Sequence, residues 1–223
     1  MTGIICAMET EAAKIVSEMT DVREKIISGI AFRCGKIGKH DTVLAVCGVG
    51  KVYAALCSEA MILNYSPEVI VNVGIAGSLS KKFTLLDTVI ADRVCQHDMD
   101  TSAVGDEIGY IQNIGCEMKT DPETNEAIIE AAGKAGIELR YAKIATGDIF
   151  VGSDSDRKKI SERFNAQICE MEGGAIAQVC TVNKVRFAIL RTVSDSECED
   201  FAVFFEKAAD IAAGIILNYI KSI

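Results

Sequence analysis

Only two prolines, Pro67 and Pro122, and two histidines, His40 and His97, occur in 223 residues. Neither proline marks a linker, and with no internal repeat or low-complexity stretch the span 1–223 reads as one domain. A chain of this length can bury a sizeable core unaided. Two histidines and no C-x-x-C pair give zinc little to bind, so no metal is expected. No apolar run reaches the roughly 18 residues a membrane helix needs. The nearest approach, AADIAAGIILNYIKSI at the C-terminus, carries Asp210 and Lys221 and reads as an amphipathic helix on a core. Basic charge is also in deficit, with 23 Lys and Arg against 32 Asp and Glu and a net charge of −9. A phosphate backbone is repelled by such a surface, so nucleic acid and membrane are both excluded as expected partners.

The nine cysteines are the opposite case. Their number is odd, and several sit inside apolar runs. The chain opens on a strand-like GIICA. The expectation is reduced thiols used as small core residues, in a cytoplasmic protein.

Short apolar runs alternate with longer amphipathic ones. GIICA (3–7) reads as a buried strand, followed by a helix over 8–19 with apolar residues at Ala12, Ile15, Val16 and Met19. Residues 31–48 read as a hairpin turning at KIGKHD, and 51–65 as a helix. EVIVNVGIAG (68–77) is almost purely β-branched, as a strand buried on both faces should be. Strands are expected at 87–94, 139–147 and 185–195, and helices at 124–136, 155–164 and 169–180 and at the C-terminus. Residues 98–120 read as irregular. The alternation argues an α/β domain with a largely parallel sheet and helices on both faces.

Active sites of such sheets lie at the carboxyl ends of strands. The rule selects Met8–Glu11, Gly48–Lys51, Gly74–Ser78, Thr146–Gly152 and Arg191–Asp195. CGVG (47–50) fits neither a dinucleotide fingerprint nor a P-loop, so it is a tight strand-to-helix turn or a glycine-lined ligand edge. Glu9 and Glu11 lie two apart on a helix and point apart, so at most one faces the crevice. Glu170 and Glu172 diverge in a helix but share a face in an extended segment, and both readings stay open. Asp195 is either a helix cap or a functional carboxylate at a strand end. Phe150, with glycines on both sides, either stacks on a planar ring or fills the core. No serine elbow and no Cys–His pair is present. The gathered carboxylates point to acid–base chemistry on an uncharged or partly apolar substrate.

In this order, GIICAMETEA, CGVGKVYAA, VNVGIAGSL, QHDMD, TGDIFVGS, CEMEGGAIAQV and RTVSDS resemble the 5′-methylthioadenosine/S-adenosylhomocysteine nucleosidases of the nucleoside phosphorylase/hydrolase superfamily. The resemblance runs from residue 3 to about 218. It implies a single domain with a twisted, mixed, largely parallel central sheet wrapped by helices, and a homodimer. It implies hydrolysis of an N-glycosidic bond, with a nucleoside and water as the reactants and no cofactor.

The resemblance also implies roles. Asp195 matches the acid that protonates purine N7, and Ser194 the residue that orients it. A closed, partly apolar site would let that acid hold its proton. Glu11 matches the carboxylate that activates water, and Glu172 the one that binds ribose. Met171 matches the methionine packed on the sugar. Phe150 matches the ring stacked on the purine, and Val151 the backbone edge that reads adenine. Arg191 matches an arginine close to the water and the ribose carboxylate. Met8 and Val49, with Met171, suit an alkylthio group. Glu170 is expected to point away or to support the loop, and Glu170→Gln to leave most turnover intact.

Two positions depart from the pattern. Ile75 stands near the water and ribose site, where a small polar residue is common. Asp106, with Val104 nearby, stands where an aromatic of the neighbouring subunit often covers the 5′ group. Residues 196–204 (SECEDFAVF), beside Asp195, are a candidate lid.

Overall fold

The computed structural model describes residues 1–195 and 198–223, without the side chains of 198–202. Ten strands and six helices follow the expected alternation: β1 Thr2–Cys6, α1 Glu9–Ser17, β2 Met19–Ile27, β3 Ile30–Ile37, β4 His40–Val46, α2 Lys51–Tyr65, β5 Val69–Ser78, β6 Thr88–Gln96, β7 Met118–Lys119, α3 Pro122–Lys134, β8 Leu139–Thr146, α4 Asp154–Phe164, β9 Ile168–Glu170, α5 Gly173–Asn183, β10 Arg186–Asp195 and α6 Cys198–Ser222. Of the candidate lid, residues 196 and 197 and the side chains of 198–202 lie outside what is described.

One mixed sheet runs β10-β6-β8-β9-β5-β1-β4-β3-β2, and β10 pairs with β5 as well. Strands β5, β10, β6, β8 and β9 therefore close a circuit, and the sheet is not the simple open one that alternation suggests. β1, β4, β5 and β10 are parallel neighbours, whereas β9 runs antiparallel to β5 and β6 to β10.

Period-two alternation sorts side chains into two cores. Along β1 and β5, Ile5 and Ile70 face a core shared with Met61 of α2 and Ile176 of α5. Ile4, Val69 and Val71 face the other, with Ile15 of α1, Ile128 of α3 and Ile216 of α6. α2 and α5 thus bury their apolar stripes on one face of the sheet, and α1, α3 and α6 on the other. A fully buried Leu or Ile here contributes about 1.5–3 kcal/mol.

Three places differ from expectation, the smallest being β7, a two-residue strand paired with β6 inside the stretch 98–120 that reads as irregular. β2 has no clear period-two pattern, because between its first and last residues the strand is exposed throughout, Val22 and Ile26 included, as an edge strand can be. Residues 169–180 are not one helix: β9 ends at Glu170, and α5 starts only at Gly173. Every cysteine among those described is a free thiol, and most are buried. No helix of the described residues is long and apolar enough to cross a membrane.

Candidate active site

The carboxyl ends of β1, β5 and β10 and the loop after β9 meet at one cleft of about 630 Å³, counting its open mouth. Its wall includes Met8, Glu11, Val49, Ile75, Phe150, Val151, Met171, Glu172, Ser194 and Asp195. Ten of the eleven residues singled out from sequence therefore converge there; Arg191 does not line it.

Glu11 sits at the third position of α1, where a glutamate can reach back to the helix cap. Its Oε2 accepts from the N–H groups of Ala7 (2.8 Å) and Met8 (3.0 Å), and Oε1 accepts from Ile75 N–H (3.0 Å). Capping and crevice-facing turn out to be compatible. Burial, opposed by the Arg191 charge and these N–H groups, raises the Glu11 carboxyl above its ordinary range. The result is a fixed, more basic carboxylate. Glu9 points outward and pairs with Arg33 at 3.6 Å, so the pair divides as helical geometry requires.

Glu172 caps α5 in a non-helical conformation, and Gly50 N–H donates to its Oε1 at 2.8 Å. The CGVG segment is thus a turn, and one that grips a cleft carboxylate. Burial first, then the Glu170 charge, pushes the Glu172 carboxyl up to about 7. Because this folded-state value lies above the unfolded one, Glu172 favours folding at low pH, and that contribution is lost as pH rises through about 7. Unliganded Glu172→Gln protein is therefore expected to match wild type at pH ~5 and to exceed it at pH ~8 by on the order of 2–3 kcal/mol. Thermal unfolding at the two pH values measures this; equal behaviour at both would reject it.

Of the two expectations for Glu170, pointing away or supporting the loop, the structure shows the second. Its carboxylate accepts from Arg191 (2.5 Å), Glu172 N–H (3.0 Å), Gly173 N–H (2.7 Å) and the Thr146 hydroxyl. This ties the Met171–Glu172 turn to the sheet. Gly174 allows the close approach: a Cβ there would lie 2.8 Å from Thr146 Cβ. Arg191 is buried behind the cleft, donating also to Asn72 and to Leu190 C=O. Arg191 pairs directly with Glu170 and reaches Glu11 and Glu172 through its charge.

Asp195 follows a bulge in β10 between Val193 and Asp195, a common way to re-aim a side chain. Ser194 Oγ donates to its Oδ1 at 2.8 Å. Its other oxygen, Oδ2, accepts from Arg157 NH2 at 2.7 Å, and both partners are buried. Beside the partly apolar wall stands a buried guanidinium, which the sequence does not lead one to expect. The sequence reading missed Arg157. Its signal is spacing, since 157, 160 and 164 share a helix face with Ile160 and Phe164.

Val151 is buried in the wall and Phe150 half-exposed at the mouth, with Val49 beside the same opening. Ile75 packs towards Met8, Leu86 and Ala208. Val104 and Asp106 are exposed and do not line the cleft. The rim is apolar and the floor acidic. No lysine or arginine occurs among the described lining residues.

A family profile described as Phosphorylase superfamily matches residues 2–221. A 5′-methylthioadenosine/S-adenosylhomocysteine nucleosidase of Staphylococcus haemolyticus is 34% identical over 226 residues, covering 99% of each chain. Two solved structures superpose closely, each at 30% identity with a TM-score of 0.96. One is the 5′-methylthioadenosine/S-adenosylhomocysteine nucleosidase of Neisseria meningitidis in complex with methylthio-immucillin-A, with 100% of this chain and 99% of that one covered. The other is a futalosine hydrolase of Helicobacter pylori, with 100% and 97% covered.

Proposed function

This chain belongs to the phosphorylase superfamily, among the nucleosidases that hydrolyse N-glycosidic bonds, and on that premise we propose that it cleaves 5′-methylthioadenosine and S-adenosylhomocysteine. The products are adenine and the 5-thio-substituted ribose. The observation that carries the reading is the convergence of Glu11, Glu172 and Asp195 beneath an apolar rim.

Adenine leaves poorly as an anion, so a proton must reach its N7 as the bond breaks. Asp195, oriented by Ser194, supplies it. The sugar becomes cationic in the transition state, and the acidic floor stabilises that charge. Glu172 holds the ribose hydroxyls, with Met171 against the sugar. Glu11 accepts a proton from the attacking water; burial has already raised its basicity. Phe150 covers the purine, and Val151 offers its backbone to the adenine edge. Met8, Val49 and Ile75 line an apolar place for the alkylthio group.

Phosphate does not suit this cleft as the nucleophile. A dianion beside Glu11 and Glu172 meets repulsion, and no cationic side chain lines the cleft among the described residues to offset it. The futalosine hydrolase likeness supports a second reading, in which the substrate carries a larger 5′ group. Adenine release from the two thio-nucleosides, with and without phosphate and beside futalosine, tests all three. Release that needs phosphate overturns the hydrolase, and selective turnover of futalosine overturns the substrate.

The same reading includes a homodimer. α2 exposes Val52 (78%), Leu56 and Leu63 (70%), and Val182 of α5 joins Val52 around one groove. Val49 and Phe150 are exposed at the mouth of the cleft. Large apolar side chains left exposed in such numbers suit an interface. A Val52→Glu/Leu56→Glu protein should run as a monomer by light scattering; an unchanged mass would place the interface elsewhere.

A further inference from the structure

Asp195 and Arg157 are 3% and 5% exposed, and they meet at 2.7 Å. Arg157 comes from the first turn of α4, immediately after the Phe150–Val151 loop. Its NH1 donates to Ser78 C=O at 2.8 Å, which fixes the guanidinium against β5. Gly77 makes room for this: a Cβ there would lie 2.9 Å from Asp195 Oδ2 and 3.2 Å from Arg157 NH1. With Ser194 on one oxygen and Arg157 on the other, Asp195 is held on both sides as an acceptor. That is the arrangement of a carboxylate, not of a proton donor.

Few other charges bear on it. Cys169 of β9 faces the pair, but burial pushes its thiol up to about 12, so it stays neutral. Glu170 lies on the same strand and is committed to Arg191. β5 offers backbone there, through Ala76 and Gly77. Arg157 is therefore the dominant charge on Asp195 among the described residues.

We propose that Arg157 is a positioning residue that keeps Asp195 ionised until the nucleoside arrives, so that the catalytic proton is taken from solvent during binding. The inference rests on the reading of Asp195 as the acid. When purine N7 meets the carboxylate, two lone-pair acceptors face each other. A proton from solvent settles on Asp195 and removes the repulsion, and the Arg157 contact loosens. That proton passes to N7 as the N-glycosidic electron pair leaves with the base. The resting enzyme thereby avoids a buried arginine without a counter-charge, which is a costly state.

Glu11→Gln protein, which keeps Asp195 and Arg157 while turnover is slowed, should take up about one proton per site when titrated with 5′-methylthioadenosine at pH ~8 in buffers of different ionisation enthalpy. The nucleoside is the probe because free adenine can place its own N7–H on an ionised Asp195, and Arg157→Gln on the same background separates Asp195 from the ribose carboxylates. In Arg157→Gln the uptake should shrink, and the alkaline limb of kcat/KM for 5′-methylthioadenosine should move up by about one pH unit or more. Arg157→Lys, which retains a cation, should keep the wild-type limb. Binding of 5′-methylthioadenosine to the Glu11→Gln protein without proton uptake would overturn the proposal, and so would an unmoved limb in a folded Arg157→Gln protein. If that variant does not fold, the proton count of the Glu11→Gln protein with the nucleoside decides alone. Wild type that releases no adenine from either thio-nucleoside would instead sink the nucleosidase reading itself.

Discussion

Asp195→Asn protein is expected to release adenine from 5′-methylthioadenosine about 10²–10⁴-fold more slowly than wild type, the range a general acid contributes. The amide has the shape of the carboxylic acid and still accepts from Arg157 through its oxygen, but it has no transferable proton. The loss should fall on kcat more than on KM, because the proton matters once the bond begins to break. Stability should change too. Arg157, buried with NH2 against Asp195 Oδ2, loses its counter-charge, and breaking a buried pair from one side costs about 3–5 kcal/mol when nothing replaces the partner. The asparagine oxygen offsets part of that, so Asp195→Ala should be the less stable variant. Adenine absorbance and thermal unfolding on the same samples measure both effects. Turnover within tenfold of wild type in Asp195→Asn would remove Asp195 from the role of acid.

Much of this was readable without coordinates, for a physical reason. Buried parallel strands are continuous apolar runs, and the amphipathic segments between them have helical spacing, so β1, β5 and β10 announce themselves. Strand ends then mark where ligands bind, which is how Glu11 and Asp195 come into view. What stayed hidden depends on pairing at a distance. The closure of β5, β10, β6, β8 and β9 into a circuit comes from β10 meeting both β5 and β6, and no local pattern encodes it. β2 is an exposed edge strand, which periodicity cannot separate from a loop. Arg157 lies in DRKKISER, which looks like a solvated helix face, yet it turns inward to a partner 38 positions away. Arg191 was found at the right strand end, but its direct pairing with Glu170 was not, since geometry alone shows which neighbouring carboxylate it touches.

That last distinction leads to the second large effect. Glu170→Gln looks conservative and is expected to cost activity severely, contrary to what the sequence suggests. The Thr146 hydroxyl accepts from Gly174 N–H at 2.7 Å, so its proton must go to Glu170 Oε1. Oε2 meanwhile takes Arg191 and the N–H groups of Glu172 and Gly173. Glutamine can keep its oxygen on that crowded side only by turning its NH2 towards Thr146. The hydroxyl proton then has no acceptor, and Arg191 has no counter-charge. The reverse orientation sets the amide against Arg191 and two N–H donors. Either way the Met171–Glu172 turn loses its anchor. A shift of ~1 Å in a positioning group can cost about 10²-fold, and kcat/KM should fall by that order. Glu170→Ala should lose about 3–5 kcal/mol of stability, as should Arg191→Ala, because each strands the other charge in the interior. The double variant should be far better than the sum of the two, since the second substitution removes a group already left unpaired. Additive losses in denaturant unfolding would mean that Glu170 and Arg191 act separately, and a fully active Glu170→Gln protein would mean that the turn carrying Glu172 is held by something else.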